Sequence, residues 1–237
     1  MRIAMWSGPR NLSTAMMYSF GARPDCAVLD EPFYGPYLRL TGLDHPMREE
    51  ILASRPEGAE EVVAQILGSV PAQKPHFYQK HMTQHMVLGM PRDWMAEVTN
   101  VFLIRHPARV IASFGAKWDG FRLSDIGFTQ QTELFEYCRA LGQNPVVVDS
   151  SDIRRDPEGM LRKLCAAIGL EFDPAMLSWP RGGHPTDGVW AAHWYGAVHS
   201  STGFAPAEGE LPALEGVAAD LLAEAWPHYE RLARVKI

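Results

Sequence analysis

Along this chain, short apolar runs alternate with longer stretches whose apolar positions recur every three or four residues. RIAMW (2–6), CAVLD (26–30), HFYQK (76–80), VFLIR (101–105) and PVVVD (145–149) each end at a polar break, the pattern of strands buried on both faces. HFYQK is the least apolar of them. Between the runs lie helical patterns. TAMMYSF stops at Gly21, and GAEEVVAQILGSV (58–70) places acidic residues early. PARVIASFGAKW (107–118) begins with Pro107, which suits a first helical turn. DPEGMLRKLCAAIGL (156–170) offers Asp156 as N-cap, Pro157 next and Glu158 behind it. AEGELPALEG (207–216) reads as a surface connection before a last amphipathic helix, VAADLLAEAWPHYERLARV (217–235). Strands alternating with helices predict an α/β, three-layer fold around a central parallel sheet of about five strands, with helical and loop lids. One domain is expected over 1–237, with a core at about 1–175 and a lid and final helix at about 176–237. Ligands of such sheets bind beyond the carboxyl ends of the strands, so the residues that follow each run carry the candidate chemistry.

Composition narrows the partners. The 237 residues are 46% hydrophobic, enough for one sizeable core, and the formal net charge is -6. A mildly acidic surface argues against non-specific nucleic-acid binding as the main task. Cys26, Cys138 and Cys165 are scattered, which gives neither a disulfide framework nor a zinc site and points to a reducing compartment. The apolar run at the N-terminus is too short for a signal peptide, and no stretch approaches the ~20 apolar residues of a membrane span. The expectation is a cytoplasmic protein with no nucleic-acid or membrane partner; a homo-oligomer is left open.

The first strand runs through Ser7-Gly8-Pro9 into Arg10-Asn11-Leu12-Ser13-Thr14 and straight on into a helix. Backbone N–H groups and the helix dipole make such a turn an anion site, and Arg10 adds a full charge with a fork for phosphate oxygens. It is not a Walker A loop, because Leu12-Ser13-Thr14 stands where Gly-Lys-Ser/Thr would fall. A plain strand–helix connection capped by Ser13 is the bland alternative. In FLIRHPARVIASF, Arg105 closes a strand and Ser113 follows eight residues later on the next helix, about two turns on. The pair can converge on one phosphate, or Arg105 can be an ordinary ion-pair partner. Two anion sites at strand ends together fit a nucleotide with phosphates at both ends of its ribose.

WSGPRNLST paired with FLIRHPARVIASF resembles the sulfotransferases that use 3′-phosphoadenosine 5′-phosphosulfate (PAPS), which share a P-loop-like fold. Pro9 to Thr14 match that family's first loop position by position, and Arg105 and Ser113 match its holders of the 3′-phosphate. VVVDSSDIRRDPEGMLRKLCAAIGLEFD resembles its strand, acidic turn, Asp-Pro cap and helix. The resemblance covers roughly residues 2–175 and is nearest a bacterial-type branch, whose members are sometimes labelled aminotransferase-like through fusion with true aminotransferases. Arg10 replaces the family's lysine and Asn11-Leu12 its Ser-Gly. The resemblance implies transfer of a sulfuryl group from PAPS, as co-substrate and without a metal, to a hydroxyl or amine of a small-molecule acceptor. Arg10, Asn11, Leu12, Ser13 and Thr14 would hold the 5′-phosphosulfate.

Transfer to an alcohol needs a base, and two places offer one. Glu31 ends CAVLDE, where several branches of the family carry a glutamate base. Lys80, His81 and His85 follow the third strand, where other branches carry a histidine. His85 is the preferred second candidate, and Lys80 is placed to meet the bridging oxygen. His81 and His85 would share one face if a helix started at once. Trp118, Trp190, Trp194 and Tyr195 are candidates to wall the acceptor pocket, and SSTGF (200–204) to close on the 3′-phosphate. A P-loop kinase of a small metabolite and a nucleotide-binding module without chemistry are the rival readings.

Overall fold

The computed structural model describes residues 1–118 and 120–237. Five strands form one all-parallel sheet: β1 (Arg2–Ser7), β2 (Cys26–Asp30), β3 (His76–Met82), β4 (Thr99–Ile104) and β5 (Val146–Asp149), in the order β2-β3-β1-β4-β5. The helices described are α1 (Ser13–Gly21), α2 (Tyr34–Thr41), α3 (Arg48–Ser54), α4 (Ala59–Leu67), α5 (Pro107–Gly115), α6 (Leu123–Ile126), α7 (Phe128–Ala140), α8 (Ser150–Arg155), α9 (Pro157–Ile168), α10 (Ala191–Trp194), α11 (Gly196–His199) and α12 (Val217–Ala233). The chain leaves β1 toward β2 and leaves β4 toward β5. The connections therefore part between β1 and β4, which opens a crevice at the carboxyl ends of these two strands.

All five strands lie where the apolar runs predict them. β3 extends two residues further, so His81 belongs to the strand. That corrects the helical face expected for His81 and His85: the two do not sit one turn apart. The helices expected at 58–70, 107–118, 156–170 and 217–235 form as α4, α5, α9 and α12, and Asp156 caps α9 by accepting from the Gly159 N–H at 3.0 Å. Beyond Trp118, a candidate wall of the acceptor pocket, the chain forms α6 and α7, for which the apolar pattern gives no helix. α7 buries Phe128, Gln131, Leu134, Phe135 and Cys138, a helical spacing in which a glutamine takes an apolar place. Gln131 donates to Leu103 O at 2.9 Å, so a hydrogen bond anchors the helix where the pattern is broken.

Phe20 of α1 stacks on Tyr78 of β3, and α9 contacts β5 on that side. On the opposite face Phe135 of α7 meets Phe102 edge-on, Gln79 donates to Ile66 O of α4, and α12 packs along α5 and α7. The C-terminal residue also joins the sheet side, its N–H donating to Val147 O at 3.0 Å. The three cysteines are free and buried.

One buried amide ties β4 to its surroundings. Asn100 accepts from the Trp6 indole at 2.9 Å and donates to Met95 O, Val98 O and Gln143 Oε1. Asn100→Ala strands these partners in an apolar layer and is expected to cost about 2–4 kcal/mol in urea unfolding, with an unchanged m-value. A loss under about 1 kcal/mol would show that the network does not pin the strand.

Candidate active site

Register creates the reacting centre. Lys80 of β3 is the cross-strand partner of Asp30 in β2, so their side chains lie side by side on one face. Lys80 Nζ donates to Asp30 Oδ1 at 3.0 Å, to Glu31 Oε1 at 2.7 Å and to the Tyr195 hydroxyl, an acceptor for each of its three N–H groups. Burial pulls the ammonium's pKa down, but Asp30 and Glu31 more than reverse this, so Lys80 stays charged. Glu31 leaves β2 with φ 39, a left-handed backbone rare outside glycine, and its N–H donates to Lys80 O at 3.0 Å.

Tyr195, between α10 and α11, lies within 2.9 Å of both Asp30 oxygens and accepts from the Trp190 indole. Gly188 N–H donates to Asp30 Oδ2 at 3.1 Å. These bonds hold the 188–199 segment against the strand ends. Asp30 is not among the candidates named from sequence, although the Asp-Glu pair closing an apolar run is the available signal.

His85 ends a short 3₁₀ turn, Thr83–His85. Tyr34 and Tyr37 stack on its ring with centroids at 4.6 and 4.7 Å, and its Nε2 lies 3.9 Å from Glu31 Oε2. Burial, with help from His45 and Lys80, drives its pKa well below the ordinary value. His81 lies on the other face of β3, stacked on Trp6 and bonded to Gln79, and burial lowers it to about 3. It therefore belongs to the core and is no partner for His85.

The turn after β1 lies beside this centre. A Cβ on Gly8 would fall 2.5 Å from Ile126 O, so only glycine allows that approach. Arg10 and Leu12 take left-handed φ of 62 and 69, and Leu12 gives α1 no side-chain cap. Ser13 does not cap the helix either, which corrects the bland reading of this turn. The first-turn N–H groups of α1 thus lack intrahelical acceptors, at residues that line the cavity described below. Arg10 Nε donates to Ser113 Oγ at 2.9 Å, and Arg105 donates to Arg10 O. The two anion sites expected from sequence are therefore in contact.

A cavity of about 470 Å³ unites these parts. All ten expected site residues line it: Arg10, Asn11, Leu12, Ser13, Thr14, Glu31, Lys80, His85, Arg105 and Ser113. Trp118, Trp194 and Tyr195 line it too, with Tyr34, Tyr37, His45 and Phe114. Trp190 does not; it is fully buried behind Tyr195, under the Arg55 guanidinium. Asn11 Oδ1, Gln84 Oε1 and His85 Nδ1 are buried without a protein partner, which leaves polar atoms for a ligand. The 200–204 segment does not reach Arg105. Ser201 accepts from the Trp179 indole and Gly203 pairs with Ser178, while Glu208, from the connection read as mere surface, meets Arg105 instead. Arg154 also lines the cavity; by sequence it belongs to the segment that resembles the family's acidic turn.

A family model described as a sulfotransferase domain matches residues 1–235. Branched-chain-amino-acid aminotransferase-like protein 2 of Arabidopsis thaliana is 36% identical over 230 residues, 97% of this chain and 41% of that protein. Branched-chain-amino-acid aminotransferase-like protein 1 of the same plant is 38% identical over 203 residues, 85% of this chain and 36% of that protein. The chain thus spans well under half of either relative. Among solved structures, the sulfotransferase domain of the Synechococcus PCC 7002 olefin synthase superposes with TM-score 0.55 at 20% identity, covering 96% of this chain and 94% of that one. The sulfotransferase domain from the curacin biosynthetic pathway gives 0.54 at 15% identity, covering 95% and 96%. At these identities the structural likeness speaks to the fold. Among the described residues no helix is long and apolar enough to cross a membrane.

The buried histidines set a pH dependence. In the unfolded chain they take up protons below about 6.5, whereas folded His81 stays neutral down to about 3, so acid favours unfolding. The contribution of each such histidine is complete above about pH 6.5 and is lost at about 1.4 kcal/mol per unit below it. His81→Gln should flatten the wild-type slope between about pH 4.5 and 5.5 by that amount in urea titrations. Parallel curves for the two proteins would refute the assignment.

Proposed function

Because the chain belongs to the sulfotransferase domain family, we propose that it moves a sulfuryl group from PAPS to a hydroxyl or amine of a small-molecule acceptor. The observation that carries this reading is the single cavity shared by the uncapped turn 9–14, Arg105 and the Glu31–Lys80 pair. The residues fit such a donor: orphaned first-turn N–H groups and three arginines, Arg10, Arg105 and Arg154, offer cationic surface to phosphate and sulfate oxygens. When bound, PAPS supplies the sulfur centre, and its S–O bond to the 5′-phosphate breaks as the acceptor oxygen or nitrogen bonds to sulfur, the electron pair leaving with the phosphate.

Each side chain then has a task. Glu31 takes the acceptor's proton. Lys80 holds that carboxylate in place, since each of its N–H groups has a protein acceptor in this arrangement. Arg10 is the cation nearest the turn and steadies charge growing on the leaving phosphate, a role the family gives to lysine. His85, neutral between two tyrosines, walls the acceptor side. The aromatic lining from Tyr34, Tyr37, Phe114 and Trp118 suits an acceptor with an apolar body.

Binding separates this reading from a kinase. Calorimetric titration is expected to show adenosine 3′,5′-bisphosphate binding more tightly than ATP with magnesium; the reverse preference would overturn the donor. A second measurement concerns the base. Glu31→Gln is expected to lower turnover by about 10²–10⁴ while leaving affinity for the bisphosphate within about twofold. Retained turnover in Glu31→Gln, together with its loss in His85→Gln, would move the base to His85.

A further inference from the structure

Apart from the Lys80 centre, the densest meeting of charges among the described residues lies between α5, α8 and the segment that precedes α12. Glu208 reaches in there, its side chain 5% exposed. Arg105 and Arg154 both donate to Oε1, the latter at 2.7 Å; Arg109 Nε lies 3.2 Å from Oε2, and Ser151 Oγ donates to Oε2 at 3.1 Å. The same arginines hold the neighbouring backbone: Arg154 Nε donates to Pro206 O at 2.9 Å, and Arg109 donates to Gly209 O and Glu210 O. Burial pushes the Glu208 carboxyl up, but Arg105, Ser151 and Arg154 outweigh it and keep the group below its ordinary value.

One carboxylate answers one of these three positive charges and offers two oxygens to three guanidinium forks. A phosphate monoester carries about -1.5 to -2 charge at neutral pH and offers three terminal oxygens, so it matches the cluster better in both charge and geometry. Arg105 and Arg154 also line the cavity, which gives a ligand there direct access to the cluster. The segment 206–210 has no helix or strand of its own to resist displacement. We infer that Arg105, Arg109, Arg154 and Ser151 form a phosphate-monoester site whose built-in occupant is Glu208, and that an incoming phosphate displaces Glu208 together with the segment 206–210. Insofar as that phosphate is the ribose phosphate of the donor, the inference rests on the function proposed above.

Glu208 is tethered, so it competes at high effective concentration and screens the arginines from one another while the site waits. Its displacement releases the backbone that Arg109 and Arg154 hold, so occupancy of the site becomes exposure of a loop. Removing its charge should therefore raise affinity for a phosphate-bearing ligand, where loss of a merely structural contact would not.

The test combines calorimetry on Glu208→Gln with amide hydrogen exchange of the wild-type chain over 206–210. Adenosine 3′,5′-bisphosphate should bind the variant about tenfold more tightly than the wild type, while adenosine, which carries no phosphate, binds both alike. In the wild type, the bisphosphate or inorganic phosphate should speed exchange at 206–210, a readout that stands even if the variant does not fold. If the bisphosphate binds, but with equal affinity for both proteins and unchanged exchange, Glu208 is a structural anchor; the inference falls and the donor reading survives. If the bisphosphate binds neither protein while inorganic phosphate still loosens the segment, the inference stands and the donor reading falls.

Discussion

The buried ammonium of Lys80 is the interaction on which the architecture at the strand ends depends. Removing an ammonium and two carboxylates from water costs several kcal/mol per ion, and only close, fully hydrogen-bonded geometry offsets that. Parallel register supplies the geometry by setting Lys80 beside Asp30, and the left-handed turn at Glu31 brings the second carboxylate round to the same atom. The covering segment follows from this, because Gly188 N–H and the Tyr195 hydroxyl reach it through Asp30. Loss of the Lys80 charge would leave two unpaired buried carboxylates and undo the anchor of the segment above them.

The cavity is polarised as a result. On one side, Asp30 and Glu31 share the single positive charge of Lys80. On the other, Arg10, Arg105 and Arg154 converge, and Glu208 lies among them. Between the two lie aromatic rings and the stacked, neutral His85. A ligand with an anionic head and a neutral reacting partner fits that division; one with its charge at the Glu31 end would meet carboxylates instead.

Much of this was legible in the residues, and the exceptions have physical causes. Parallel strands buried on both faces read as continuous apolar runs, so all five were visible, even HFYQK, whose Gln79, Lys80 and His81 are buried. Those three polar residues were the mark of a site, but sequence could not say that alternation sends Lys80 into the cavity and His81 into the core. α7 was hidden because Gln131 is held by a hydrogen bond at an apolar position. The ten site residues converge because they lie at or beyond the carboxyl ends of β1 to β4, with Lys80 near the end of β3 and Ser113 on the helix that follows β4. Arg109, Arg154 and Glu208 could not be found this way, since their importance lies in partners between 52 and 103 residues away.

The turn after β1 shows how the fold sustains a conformation its own residues disfavour. Arg10 and Leu12 are held in left-handed backbone at a cost on the order of 1–3 kcal/mol each. The restraints come from outside the turn. Asn11 donates to Leu103 O, Gly8 lies against Ile126 O, Arg105 grips Arg10 O and Ser113 accepts from Arg10 Nε. Arginine at position 10 does what lysine could not here, because its Nε braces the turn against α5 while the rest of the fork stays charged at the cavity. The orphaned N–H groups of α1 are therefore fixed in direction before any anion arrives, and an anion bound there meets donors that need little reorganisation.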